Sequence, residues 1–263
     1  MNDRSETADS GGRSRMIAPP PHRADIGIIA ALPMETGYLI DKLNKVRKFK
    51  SSQGLTVLEG EYQGRIVAVI HSGMGRARAR RAAEHLIFGH RPYWLIHPGF
   101  GGGLDPSLKM ADVVLPTEVV DPSGSLVPIP LKPEMLPQDI VTGRLLTVDE
   151  IVRKTTEKAE WREKSGAVVV DMESHAVAQL CGELNLRWVG LRVITDTAGT
   201  ELPPEVLTIT GPTGAFRMGA TIGALWSRPS AVKDLLKLRE SATIAADKIA
   251  HFTSHLISAL PIP

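Results

Sequence analysis

The chain has 263 residues, of which 43% are hydrophobic and 23% charged, and its formal net charge is +2 at pH 7. This composition is ordinary for a globular enzyme, and the charge is too small to indicate a nucleic-acid or membrane-surface partner. The single cysteine, Cys181, excludes an internal disulfide framework and favours the reducing cytoplasm as the location of the protein.

The N-terminal segment, residues 1–24, is rich in Ser, Gly, Arg, Asp and Pro and lacks the apolar core of a signal peptide. We expect it to be a disordered tail. Residues 25–263 are long enough to form one large domain. None of their stretches is apolar enough, over a sufficient length, to predict a membrane-spanning helix.

A first buried strand is predicted over residues 26–31, which read Ile-Gly-Ile-Ile-Ala-Ala. Pro33 then suits the first turn of a helix. Glu35 follows just past the carboxyl end of the strand, where open α/β sheets bind ligands. An acid in the first turn of a helix also interacts favourably with the helix dipole, so Glu35 alone says little about function.

A hairpin is predicted next, with strands over residues 55–61 and 65–70 and a turn at Gln63-Gly64. The second strand leads into Ser72-Gly73-Met74-Gly75-Arg76 and a helix. This turn lacks the third glycine of a dinucleotide-binding fingerprint. Its free N–H groups still suit a ribose or an anion. We interpret the arginines at 76, 78, 80 and 81 as a solvated basic face.

Further strands are predicted over residues 94–97, 112–116 and 143–152, followed by a helix near 159–164. The first of these strands ends in a glycine-rich stretch, residues 98–104, which indicates backbone packed closely against a ligand or another strand. Residues 121–137 are proline-rich and are predicted to be a loop.

Two more acids follow strand ends in the second half of the chain. A β-branched run over residues 167–170 predicts a buried strand, and Asp171-Met172-Glu173 come directly after it. Apolar residues at helical spacing from Val177 to Leu184 predict a helix, in which Cys181 is a small core residue. The next strand, residues 188–194, leads to Asp196. An N-cap or Asx turn is the structural alternative for this aspartate.

The remaining sequence is predicted to be a loop or lid over residues 202–226 and a long amphipathic helix from Pro229 onward. His251 and His255 have the i, i+4 spacing of a metal-binding pair. No cysteine or cluster of carboxylates joins them, so we predict no metal and no other cofactor.

Five motifs, taken in this order and spacing, resemble the nucleoside phosphorylase/nucleosidase superfamily and especially its methylthioadenosine/S-adenosylhomocysteine nucleosidase-like branch. They occupy residues 26–35, 73–76, 99–104, 170–174 and 192–196. Residues 145–152 and 170–176 look most like the hopanoid-associated subgroup, which is linked to removal of adenine from adenosylhopane. The resemblance implies an α/β fold, a three-layer α/β/α arrangement around a central mixed, mostly parallel sheet. It also implies a homodimer or larger homo-oligomer.

The resemblance implies a role for each matching residue. Glu35 would activate the attacking water, and Asp196 would protonate N7 of the leaving purine. Glu173 would bind the ribose 2′- and 3′-hydroxyls, and Met172 would pack against the sugar and base. The backbone of Ile151 and Val152 would bind the purine edge. The predicted substrate-binding set is completed by Phe100, Gly101 and Arg192.

The nucleophile is the main question that the resemblance leaves open. Phosphorylase relatives hold phosphate with arginines and with a serine near the loop that contains His97 and Phe100 here. Neither side chain replaces a guanidinium or a hydroxyl well, so we favour hydrolysis. Phe100 also departs from the serine usual in nucleosidases. Arg76 could still contact phosphate, which keeps phosphorolysis as the alternative.

Two readings from other classes remain open. A nucleoside-binding protein without turnover would not need both Glu35 and Asp196, and a Rossmann reductase would need a fuller glycine fingerprint. The 5′ substituent of the nucleoside is unreadable from the sequence. Phe100, Phe216, Met218 and Trp226 suggest an apolar or lipid-linked 5′ group, although packing in the core or an interface is the simpler explanation of them.

Overall fold

The computed structural model describes residues 22–52, 54–129, 140–204, 206 and 229–263, with the backbone alone for 229–239. The strands are β1 (Ile26–Ala30), β2 (Asn44–Lys50), β3 (Thr56–Tyr62), β4 (Arg65–His71), β5 (Trp94–Gly103), β6 (Val113–Val120), β7 (Leu126–Pro128), β8 (Val141–Thr147), β9 (Val169–Asp171) and β10 (Arg187–Asp196). The α-helices are α1 (Gly37–Ile40), α2 (Arg76–His90), α3 (Thr155–Ser165), α4 (Ser174–Glu183) and α5 (Pro229–Ala259), and a 3-10 turn spans Pro33–Glu35.

These strands form one mixed sheet, in which β5 pairs in parallel with both β1 and β10. On one side, β1 pairs in parallel with β4. From β4, the antiparallel strands β3 and β2 continue to the edge of the sheet. On the other side, β10, β6, β8 and β9 lead back to β5 and close a ring of five strands. Among the described strands, five pairings are parallel and five are antiparallel. The sheet is therefore mixed, as predicted, but it is not mostly parallel.

Helices cover both faces of the sheet, which confirms the predicted three-layer α/β/α arrangement. On one face, α2 and α4 bury small and branched side chains against the strands, including Ala83, Leu86 and Cys181. On the other face, α1 and α5 bury Leu39 and Ile249 in a second core. Cys181 is a buried free thiol, as its place on the apolar helix face predicted.

The structure differs from the sequence-based prediction at several element boundaries. The helix predicted after Pro33 is a 3-10 turn followed by one turn of α1, and the chain then enters β2, which was missed. This edge strand is rich in lysine and largely exposed, so it lacks an apolar alternation. In addition, β5 continues through the glycines to Gly103, whereas β8 ends at Thr147 instead of 152.

The predicted tail is too long at its C-terminal end. Ala24 is fully buried, and its N–H donates a hydrogen bond to the carbonyl of His90. His22 is also anchored, because its ring nitrogen Nδ1 lies 2.8 Å from Oε1 of Glu59. Residues 1–21 and most of the predicted lid at 202–226 lie outside the described residues. Within the described ranges, no helix combines the length and the apolar character needed to cross a membrane.

Candidate active site

The glycine-rich end of β5 forms the floor of the candidate site. A Cβ atom at Gly99 would lie 3.3 Å from Oε1 of Glu35, and one at Gly102 would lie 3.3 Å from Oδ2 of Asp196. Three residues of extended chain span about 10 Å. Both acids therefore lie beside the same strand, three residues apart along it, at positions where glycine leaves room for their carboxyl groups.

Glu35 reaches this floor from the 3-10 turn after β1. Its Oε2 accepts a hydrogen bond from the N–H of Leu32 at 2.8 Å, and its Oε1 accepts one from the N–H of Phe100 at 3.2 Å. Burial raises the pKa of Glu35, although these N–H groups and the charge of Arg192 oppose the rise. The carboxylate is thus fixed by the backbone N–H groups of Leu32 and Phe100 and is a stronger base than an exposed glutamate.

Glu173 comes from the junction between β9 and α4. Its Oε1 accepts a hydrogen bond of 2.6 Å from the N–H of Gly75, which starts α2 with a φ of +99°. Burial raises the pKa of Glu173 to about 8, and the negative charges of Asp171 and Glu35 act in the same direction. The free N–H predicted at the glycine turn therefore binds a protein carboxyl, and this carboxyl lies close enough to Glu35 to be influenced by its charge.

Asp196 ends β10 and is 5% exposed. Its Oδ2 accepts a hydrogen bond of 2.5 Å from the ammonium of Lys158, and its Oδ1 accepts one of 3.1 Å from the hydroxyl of Thr195. Burial raises the pKa of Asp196, and the charge and hydrogen bond of Lys158 oppose that rise. A lysine at this aspartate was not part of the sequence-based prediction.

Arg192 lies behind the site in a buried network. Its Nε and Nη2 donate to Oδ2 of Asp171, at 3.0 and 2.6 Å, and Nη2 also donates to the hydroxyl of Ser174. Nη1 donates to the carbonyls of His97 and Leu191. Its five N–H donors are therefore all used within the protein. This differs from the predicted contact with substrate and indicates a supporting role.

The Asp171–Arg192 pair also fixes the junction that carries Glu173. Burial is the largest single effect on the pKa of Asp171 and would raise it, but the charge of Arg192 and the other neighbouring charge and hydrogen bonds together outweigh it, so the pKa is lowered. The other oxygen of Asp171 accepts a hydrogen bond from the hydroxyl of Thr147 at 2.7 Å. Asp171 is therefore an ionised structural anchor directly before the two predicted binding residues Met172 and Glu173.

A cavity of about 860 Å³ brings the predicted base-binding residues together. Met172, Ile151 and Val152 line it, with Trp161 of α3 among the other lining residues. Met172 is half-buried and directly precedes Glu173 in the chain, although Glu35, Glu173 and Asp196 are not themselves among the residues that line the cavity. Its size is within the range of small-molecule sites.

Phe100 and Gly101 contribute to the site through the strand backbone. The N–H of Phe100 binds Glu35, while its ring packs against the core formed with α5. A Cβ at Gly101 would lie only 2.6 Å from Cγ2 of Val169, so close strand packing requires glycine there. Both residues lie at the site, but Phe100 directs its side chain to the core.

Among the described residues, Arg76 and His97, the two side chains considered for phosphate binding, already have protein partners. Arg76 pairs with Asp121 at 3.3 Å and with Asp149 at 2.9 Å, so it is not the solvated arginine that the sequence suggested. His97 directs its Nδ1 to the carbonyl of Ile29 at 2.7 Å. Burial and the charge of Arg192 lower the pKa of His97 to about 3, so its imidazole is neutral at pH 7.

The histidine pair at the end of the chain is separate from this site. His251 and His255 are both exposed on α5. Among the residues that the structure describes, no group of three or more His, Cys, Asp and Glu side chains is arranged to hold a metal ion.

Comparisons with known proteins relate the chain to one superfamily. The model of the phosphorylase superfamily matches residues 25–133 and 131–215. A 5′-methylthioadenosine/S-adenosylhomocysteine nucleosidase from Tolumonas auensis is 28% identical over 204 residues, which cover 68% of this chain and 88% of that protein. A nucleosidase of the same name from Colwellia psychrerythraea is 29% identical over 208 residues, covering 67% and 85%.

Solved structures share the fold at low sequence identity. A 5′-methylthioadenosine/S-adenosylhomocysteine nucleosidase from Neisseria meningitidis, in complex with methylthio-immucillin-A, gives a TM-score of 0.69 at 21% identity and covers 89% of this chain and 99% of its own. The Colwellia psychrerythraea nucleosidase in complex with adenine gives 0.68 at 22% identity, covering 92% and 98%. Because the superfamily model also matches most of the sequence, this chain belongs to the phosphorylase superfamily.

Proposed function

We propose that the protein is a purine nucleosidase that hydrolyses the N-ribosidic bond of a 5′-substituted adenosine and releases adenine. The proposal is supported chiefly by two buried acids beside β5, Glu35 at Gly99 and Asp196 at Gly102, with Glu173 close enough to Glu35 to be influenced by its charge. The similarity to the Tolumonas and Colwellia nucleosidases supports the same chemistry. We further propose residues 25–263 as a single catalytic domain behind the N-terminal tail, and the cytoplasm as its location.

In the proposed reaction the C1′–N9 bond breaks and its electron pair moves into the purine. Asp196 gives its proton to N7, so that a neutral base departs from an oxocarbenium-like sugar. Such general acid catalysis typically contributes about 10²–10⁴-fold. Glu35 takes a proton from water as the water oxygen bonds to C1′. This division between two carboxyl groups resembles that of inverting glycosidases.

The remaining predicted residues would hold the nucleoside in place. The carboxyl group of Glu173 is able to hydrogen-bond both ribose hydroxyls, as one donor and one acceptor while it keeps its proton and as two acceptors once it is ionised. Met172, Ile151 and Val152 provide the cavity for the sugar and base. Arg192 acts indirectly in this proposal, because it binds Asp171 beside these residues.

Water is favoured over phosphate as the nucleophile. Phosphate binding relies on guanidinium or other cationic groups that are not already paired within the protein. Arg76 is held by two aspartates, Arg192 is committed to Asp171, and His97 is neutral. In contrast, the Glu35 carboxylate is buried and has a raised pKa, as suits a base that activates water.

The finer assignments extend this proposal. We propose a methylthioadenosine-like or lipid-linked, adenosylhopane-like substrate, supported by the hopanoid-type motifs at 145–152 and 170–176. Of the residues that suggested an apolar 5′ pocket, Phe216, Met218 and Trp226 lie outside the described residues. We also propose a homodimer or larger homo-oligomer, as the resemblance implies.

The test is adenine release from methylthioadenosine, S-adenosylhomocysteine and an adenosine with an alkyl 5′ chain, with and without phosphate. We expect equal release under both conditions. Asp196→Asn should lower turnover by about 10²–10⁴-fold while ligand binding is kept. Glu183→Gln, which alters an exposed acid on α4, is the matched control.

Each contrary result would have a definite meaning. A requirement for phosphate would establish phosphorolysis in place of hydrolysis. Binding without release of any base would identify a nucleoside-binding protein instead. Unchanged turnover in Asp196→Asn would remove Asp196 from the mechanism.

A further inference from the structure

Lys158 is a fully buried ammonium group in a helix whose other residues are half-buried or exposed. Its relative exposure is 0%, and it is the one buried residue of α3. Its three donors are all used, by Oδ2 of Asp196 at 2.5 Å and by the carbonyls of Thr197 and Thr200 at 2.7 and 2.9 Å. A buried charge is costly unless it is fully paired. The contacts of Lys158 meet that requirement.

These contacts connect the two halves of the proposed purine site. Lys158 holds the segment that follows β10, and Arg153 holds the same segment further along through the carbonyl of Leu202. Arg153 directly follows Val152, which lines the base cavity. The start of α3 therefore joins the cavity wall to the strand end that carries Asp196.

The two oxygens of Asp196 have different surroundings. Oδ2 faces the ammonium of Lys158, whereas Oδ1 faces the hydroxyl of Thr195. A proton on Oδ2 would meet the N–H donors of Lys158, whereas the Thr195 hydroxyl at Oδ1 is also able to donate to the carbonyl of Gly101. A protonated Asp196 would therefore carry its proton on Oδ1. The lysine thereby determines which oxygen of Asp196 is able to act as an acid.

We propose that Lys158 is a positioning residue for the departure of the purine, which keeps the proton on Oδ1 of Asp196 and stabilises the carboxylate left behind. This inference rests on the proposed function. As the O–H bond of Asp196 breaks and the N7–H bond forms, the new negative charge develops beside the ammonium. Lys158 keeps all three of its protons throughout. Stabilisation that exists only after proton transfer lowers the barrier to reaction.

Lys158 also has an effect that works against catalysis, because it reduces the fraction of Asp196 that is protonated at high pH. Its charge stabilises the carboxylate of the free enzyme too, and so lowers the pH at which Asp196 loses its proton. The alkaline limb of the pH–rate profile therefore reports on the lysine. A purely structural contact would leave this limb where it is, once the protein is folded.

The test compares the pH dependence of kcat/KM, which reports the free enzyme, for the parent protein, Lys158→Met and the control Lys164→Met. Lys164 is an exposed lysine of the same helix, with 67% of its side chain accessible. We expect Lys158→Met to lower adenine release on the order of tenfold to hundredfold and to move the alkaline limb to higher pH. Lys164→Met should change neither property.

A second substrate distinguishes a specific effect of Lys158 on protonation of the purine from a general disruption of the active site. A riboside with 4-nitrophenol as leaving group needs no protonation, so its cleavage should survive Lys158→Met far better than adenine release. Lys158→Gln keeps a hydrogen-bond donor without the charge and replaces Lys158→Met if that variant does not fold. An unmoved alkaline limb, or an equal loss with both leaving groups, would overturn the inference.

Asp196→Asn distinguishes this failure from failure of the proposed function. If Asp196→Asn retains turnover, the assignment of the general acid is at fault. If Asp196→Asn is inactive and Lys158→Met has the parent profile, only the role of Lys158 is wrong.

Discussion

At the scale of single residues, Glu173 gives the protein a pH-dependent stability. Its pKa is raised from an ordinary value of 4.5 to about 8, mainly by burial. Between these two values the native protein keeps a proton that the unfolded chain has lost. The free energy of unfolding therefore falls as pH rises through this window.

We predict that Glu173→Gln reduces this fall, because glutamine has no proton to lose and its side-chain oxygen can still accept from Gly75. Urea unfolding at pH 5 and pH 8 measures the difference. The exposed Glu183, whose pKa is lowered by its hydrogen bond with Arg80, provides the control Glu183→Gln. The same loss of stability in Glu173→Gln as in the parent protein would show that Glu173 does not hold the proton.

The residues of the candidate site could be predicted from the sequence to different degrees. Glu35, Glu173 and Asp196 each follow a strand, and the carboxyl ends of strands are recognisable from buried runs. Lys158 gave no such signal, because α3 is almost entirely polar and a buried lysine resembles an exposed one. The one sequence feature that indicates a buried face at Lys158 is Trp161, which lies one helical turn later on the same face of α3.

At the scale of elements, the glycines of β5 allow this strand to pack closely against β9 and β10. A side chain at 101 would overlap Val169 and lie 3.3 Å from Cβ of Arg192, so β5, β9 and β10 could not keep their spacing. The sequence indicated close backbone packing here but ended the strand at 97. Glycine has a low strand propensity, and only pairing with β10 along Arg187–Asp196 shows that the strand continues.

We predict that Gly101→Ala lowers the free energy of unfolding by about 1–3 kcal/mol, the usual effect of overpacking a core. Gly89→Ala is the control, because a Cβ there, within α2, meets no atom within 4 Å. It should stabilise the helix by roughly 0.5–1 kcal/mol. Thermal or urea unfolding measures both variants, and equal stability of the two would contradict the packing described for β5.

At the scale of the whole molecule, the closed ring of β5, β10, β6, β8 and β9 could not be predicted from local patterns. It depends on the pairing of β9 with β5 and of β6 with β10, which join residues far apart in the chain. The three layers were expected from the family resemblance, and the predicted alternation of strands and helices is consistent with them. It did not reveal that Asp171 and Arg192, on β9 and β10, form a buried pair.

The central claim is that these layers bring an acid and a base to opposite sides of one N-ribosidic bond, with water as the nucleophile. Turnover of a 5′-substituted adenosine in phosphate-free water enriched in heavy oxygen tests it most directly. We predict free adenine and a ribose product with the heavy isotope on C1′, and loss of both products in Glu35→Gln. Release of adenine only after phosphate is added, with an unlabelled sugar phosphate as the second product, would contradict the account.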